Sequence, residues 1–68
     1  MMEKIDARGF SCPTPVMMVK AALDKGAQQL EVWVDNGAAR DNISRHAKGH
    51  GKQVTISVQD GDYVLTIQ

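Results

Sequence analysis

Hydrophobic and polar positions follow two rhythms along this chain. Residues 3–8 (Glu-Lys-Ile-Asp-Ala-Arg) alternate and predict a short strand. From Pro13 to Lys25 the spacing is helical, with Val16, Val19 and Leu23 on one face and Gly26 as the stop. Residues 29–35 alternate strictly, with Leu30, Val32 and Val34 on one side. Asp35-Asn36-Gly37 is a turn that offers helix caps. Ala38 to Lys48 is helical again, with Ala39, Ile43, Ala47 and His50 on one stripe, closed by Gly49 and Gly51. Residues 52–59 alternate through Val54, Ile56 and Val58. Asp60-Gly61-Asp62 reads as a tight hairpin turn, and Tyr63, Leu65 and Ile67 share one side of the last strand.

The predicted order is βαβαββ. Right-handed crossovers place both helices on one face of the sheet. The expected fold is an α/β (α+β) two-layer sandwich: a four-stranded mixed sheet with two helices on one face. Strands one to three run parallel, so both helices start at the same sheet edge, where such sheets bind ligands. The other sheet face is expected to be open, with Trp33 on it between Glu31 and Asp35.

Sixty-eight residues make one small domain over 1–68 with a thin core. The N-terminal part of a longer protein is the open alternative. Eight basic and eight acidic residues cancel. That balance argues against direct nucleic-acid or membrane-surface binding and leaves proteins and small molecules as partners. No apolar run approaches the roughly 20 residues that span a membrane. One unpaired cysteine without a signal-like segment predicts a reducing, cytoplasmic location.

That cysteine dominates the chemistry. Cys12 sits in Arg8-Gly9-Phe10-Ser11-Cys12-Pro13-Thr14-Pro15, between a strand-like and a helix-like run. A thiol at a helix start meets unpaired N–H groups and the positive end of the helix dipole. Pro13 fits the first helical position. Pro15 has no N–H, which leaves Thr14 as the main donor. The expected thiol pKa is therefore only modestly below that of a free cysteine, and the prolines act mainly by stiffening the turn. A buried structural cysteine is the competing reading. With no second cysteine there is no intramolecular dithiol cycle, so a reactive Cys12 would be a one-thiol carrier of a persulfide or mixed disulfide.

The supporting candidates are Asp6, as an acceptor for N–H groups of the Gly9 loop, and Arg8 and Arg40, as sources of positive potential. For each a plain surface role is the alternative. Phe10, Met17 and Met18 form a candidate docking patch, since methionine adapts to varied partners; scattered apolar surface is the alternative. His46 and His50 have i, i+4 spacing, but the further ligands a metal site wants are not evident. No metal and no cofactor are expected.

The stretch Asp6-Ala7-Arg8-Gly9-Phe10-Ser11-Cys12-Pro13-Thr14-Pro15 resembles the signature of the TusA/SirA-like family of small sulfur carriers, marked by Cys-Pro-x-Pro near the N-terminus. The resemblance covers essentially the whole chain, including Arg40-Asp41-Asn42-Ile43. It implies an open two-layer sandwich like the C-terminal domain of a translation initiation factor, with sheet order 1-2-4-3 and strand four antiparallel. It also implies that Cys12 accepts sulfane sulfur as a persulfide from a cysteine desulfurase or rhodanese-like donor and relays it to an acceptor protein. The segment 34–45 looks closer to the YedF-like, selenium-associated branch than to the tRNA-thiolation branch. A selenium-handling domain and a non-catalytic regulatory module are the alternative functions.

Overall fold

The computed structural model describes residues 2–10 and 14–68. The elements follow the predicted order: β1 (Met2–Asp6), α1 (Thr14–Asp24), β2 (Gln29–Val34), α2 (Gly37–Gly49), β3 (Val54–Gln59) and β4 (Asp62–Ile67). They build a four-stranded sheet in the order β1-β2-β4-β3. β1 pairs parallel with β2, and β4 pairs antiparallel with both β2 and β3. Fold class and strand order are those expected.

Local chemistry explains the boundaries. Both helices end in the same motif. Gly26 N–H donates to Leu23 O and Ala27 N–H to Ala22 O; Gly51 N–H donates to Lys48 O and Lys52 N–H to Ala47 O. Asn36 caps α2, its side chain accepting from Ala39 N–H at 2.8 Å. Asp60 (φ 52°) and Gly61 (φ 83°) form the two-residue loop of the β3–β4 hairpin. Two positive φ angles are what a tight hairpin of right-twisting strands requires.

The core lies between the helices and one sheet face. Leu30, Val32 and Val34 of β2, Leu65 and Ile67 of β4, and Ile43 of α2 are fully buried. Ala39 and Ala47, buried on α2, let that helix approach closely, and Val19 and Pro15 complete the layer from α1. At about 25 cal/mol per Å² of apolar surface, this layer is the main stabilising term.

Two packing expectations need correction, and the edge strand adds an observation of its own. His50 does not join the α2 stripe: it is the C-cap and is exposed, because the chain turns away there. Ile56 and Val58 point to the helix-facing side, opposite Leu65 and Tyr63, yet are 42% and 66% exposed. Two helices do not cover four strands, and β3 lies at the uncovered margin. The face away from the helices is less open than expected. Trp33 is half-buried there; its Nε1–H donates to Glu31 at 2.9 Å, and Lys4 and Arg8 lie 5.3 and 5.1 Å from its ring. Val64, its cross-strand partner, is only 4% exposed.

Candidate functional site

Three turns meet at one sheet edge. β1 and β2 both end there, and the antiparallel pairing of Val34 with Tyr63 brings the β3–β4 hairpin alongside. The β1–α1 turn leaves the sheet at Ala7, whose N–H donates to Trp33 O at 2.8 Å and whose side chain is buried. Gly9 follows with φ +84°. A side chain there would meet no atom within 4 Å, so glycine answers to backbone conformation rather than to space. Phe10 N–H donates back to Ala7 O at 3.4 Å.

The root of this turn is fastened from two sides. Arg8 lies across the outer sheet face. Its Nε and Nη2 donate to the two Asp6 carboxylate oxygens at 2.9 Å each, and its Nη1 donates to Asp62 at 3.2 Å. Arg8 N–H also donates to Asp6, at 3.1 Å. These hydrogen bonds from Arg8, side chain first and backbone second, hold the Asp6 carboxyl at about 2 and raise the Arg8 guanidinium. From the α2 side, Asp35 accepts Gly9 N–H at 2.8 Å. That bond, helped by an amide donor from Asn36 at 3.1 Å, lowers the Asp35 pKa.

Some candidate residues are therefore placed differently than expected. Asp6 accepts Arg8 N–H, while the Gly9 N–H goes to Asp35, which the sequence marked only as a turn and cap residue. An exposed Asp immediately before an Asn cap was the available signal. Arg8 and Arg40 are not free sources of positive potential. Arg8 is matched by Asp6 and Asp62, and Arg40 by Asp41 at 2.8 Å, with its guanidinium 4.6 Å from the Tyr63 ring. Paired charges project little field beyond a few ångströms of screened solvent. The hydrogen bond from Arg40 lowers Asp41 and raises Arg40 in turn.

Cys12 and Pro13 lie outside the described residues. On either side, Phe10 is 47% exposed and Thr14 is exposed. Pro15, two residues beyond Pro13, is fully buried, so its ring plugs the core at the start of α1. Of the docking candidates, Phe10 and Met17 (61%) are exposed, but Met18 packs against the core. The α1 stripe is centred nearer Pro15 and Val19 than projected, which turns Met18 inward.

The other motif yields little. The rings of His46 and His50 lie 4.8 Å apart, and His46 Nε2 is buried without a hydrogen-bond partner. Among the described residues, no three His, Cys, Asp or Glu are grouped to hold a metal ion. No helix among them is long and apolar enough to cross a membrane.

Known proteins add a decisive observation at this point. The family model described as "Sulfurtransferase TusA" matches residues 3–68, a span that includes Cys12 and the whole fastened turn. The chain belongs to the TusA family. Provisionally named sulfur carrier proteins are similar to it. One from Methanocaldococcus jannaschii is 38% identical over 58 residues, covering 82% of this chain and 77% of the relative. One from Halobacterium salinarum is 33% identical over 64 residues, covering 91% and 79%. YrkI of Bacillus subtilis is 28% identical over 60 residues, covering 85% and 80%. A crystal structure of a SirA-like protein from Desulfitobacterium hafniense superposes with a TM-score of 0.88 at 38% identity, covering 98% of this chain and 95% of the other. Membership of the TusA family and these relatives support a sulfur carrier role.

Proposed function

We propose that Cys12 is the sulfur-carrying atom: it accepts sulfane sulfur as a persulfide and relays it to a partner protein. The supporting observation is that the only cysteine of the chain follows, within the family-matched span, a turn tied at Asp6 and Asp35. The Cys12 thiolate attacks the terminal sulfur of a donor persulfide. One S–S bond forms, the donor's breaks, and the donor leaves as a thiolate, with no net oxidation. Relay to an acceptor thiol repeats the exchange with Cys12 as leaving group.

The donor is a cysteine desulfurase or rhodanese-like protein, and the location is a reducing cytoplasm, where one unpaired thiol persists. Asp6, Arg8 and Gly9 fix where the turn starts; Thr14 and Pro15 open the helix that follows. Arg40, on Tyr63, shapes the neighbouring wall. Phe10 and Met17 are the docking contacts. Incubation with a cysteine desulfurase and cysteine, followed by intact-mass measurement, tests this reading. The expected result is a gain of one sulfur atom that Cys12→Ser lacks. An unmodified protein beside an actively turning donor overturns it.

A further inference from the structure

The two edges of the sheet are built differently. β1 carries Glu3, Lys4 and Asp6 within Met2–Asp6, and charges on an edge strand resist pairing with another chain. β3, at the other edge, reads Val-Thr-Ile-Ser-Val-Gln, with no charge and no proline. Its free side can be assigned from hydrogen bonding. Gln53 and Gln68 exchange both backbone bonds, at 2.9 Å each. Bonding alternates along an antiparallel pair, so Thr55 and Ser57 also bond β4. Val54, Ile56 and Val58 therefore turn their N–H and C=O groups outward. They are also the residues whose side chains the helices leave partly or largely uncovered.

The sequence around this edge is self-complementary about Ile56. It runs Lys52-Gln53-Val54-Thr55-Ile56-Ser57-Val58-Gln59-Asp60. An antiparallel two-fold register centred on Ile56 sets Ile56 against itself and Val54 against Val58 of the second copy. Thr55 falls opposite Ser57 and Gln53 opposite Gln59; Lys52 and Asp60, in the turns just beyond the strand, bring opposite charges to each end. Apolar meets apolar, and hydroxyl meets hydroxyl. Neither Lys52 nor Asp60 takes part in an ion pair within the chain among the described residues. In this register the outward-facing residues oppose one another, so each facing pair exchanges both N–H···O bonds. The formal net charge of the chain is zero, so two copies do not repel at long range.

We infer that β3 is a self-association edge: two copies pair their β3 strands antiparallel about Ile56 and form one continuous eight-stranded sheet. The contact is one short strand per copy, below the roughly 1,200 Å² of a standard stable interface, so the dimer is weak and concentration-dependent. Antiparallel pairing points the two edges that carry the β1–α1 turns in opposite directions, so neither turn lies at the contact. The inference is independent of what Cys12 carries.

Sedimentation velocity over a concentration series, in the presence of reductant, tests it. The expected result is a monomer–dimer equilibrium that Val58→Lys and Lys52→Glu each weaken at least tenfold, with raised salt weakening the wild type. Val58→Thr, which keeps a β-branched residue, serves if Val58→Lys fails to fold. Amide exchange reads the same contact: the N–H groups of Val54, Ile56 and Val58 gain protection as concentration rises. A monomer at every concentration overturns the inference. So does a dimer indifferent to both substitutions, or β3 protection that appears only when another protein supplies the strand.

Discussion

The two strand-to-helix turns sit side by side on one edge and solve the same problem differently. The β2–α2 turn is self-sufficient: Asn36 caps its own helix at Ala39 N–H. The β1–α1 turn is held by its neighbours: Asp35 takes the Gly9 N–H, Asp62 takes part of Arg8, and the α1 start is pinned by the buried Pro15 ring. The first turn carries the sole thiol of the chain, and the second lends it a carboxylate.

The sharpest break between the turns is chemical. Cys12→Ser is expected to abolish sulfur loading while leaving the unfolding curve almost unchanged, and intact mass after donor treatment reads this directly. Substitutions confined to the second turn are expected to leave the loaded fraction of folded protein intact.

Gly9→Ala comes next. With φ at +84° and nothing within 4 Å of an added methyl, the penalty is conformational, about 1–2 kcal/mol for a left-handed L-residue. Thermal unfolding measures it, and loading slows with it. A neutral result would mean that the turn tolerates another path. Asn36→Ala is expected to cost about 1 kcal/mol through loss of the cap. Amide exchange at Ala39 should rise while Gly9 keeps its protection, which separates the two turns residue by residue.

Asp35→Ala is the gentlest probe and the most specific. The Gly9 amide resonance should shift upfield, the Asn36 cap should persist, and loading should slow several-fold without a lower end point. pH gives the same contact a sign. Asp6 and Asp35 have folded pKa values below the ordinary 3.8, Asp6 at about 2. Their contribution is complete above the unfolded value. Each is lost as pH falls below that value and through the folded pKa, which for Asp6 is about 2. Chemical unfolding along an acid series should show that loss in the wild type, and Asp35→Ala should show less of it.

Much of this frame was legible in the chain. Alternation in residues 29–35 and 63–67 marked the central strands, Asp60-Gly61 marked the hairpin, and Asp35-Asn36-Gly37 announced the second helix. Each is a local signal, because cap and turn chemistry act within a few residues. What escaped is non-local. The Gly9–Asp35 and Arg8–Asp62 bonds join residues 26 and 54 positions apart, and no periodicity encodes them. The pairing of Arg8 with Asp6 and of Arg40 with Asp41 is local and escaped for another reason: residue types declare a charge but not which neighbour it bonds. Met18 was misplaced because a buried Pro15 sets the rotation of α1. The exposed Ile56 and Val58 obey the alternation faithfully; alternation names a face but does not say how far the helices extend over it.

The central claim is that Cys12 holds sulfur that it can give away, and reversible loading tests it most directly. An added sulfur and two added oxygens share a nominal mass, so the gain alone does not distinguish carriage from over-oxidation. Cyanide does, since it strips sulfane sulfur as thiocyanate and leaves a sulfinate untouched. Donor-treated protein should gain one sulfur at Cys12, then return to its starting mass on cyanide treatment with an equal amount of thiocyanate released. A mass that never rises, or a gain that cyanide leaves in place, would contradict it.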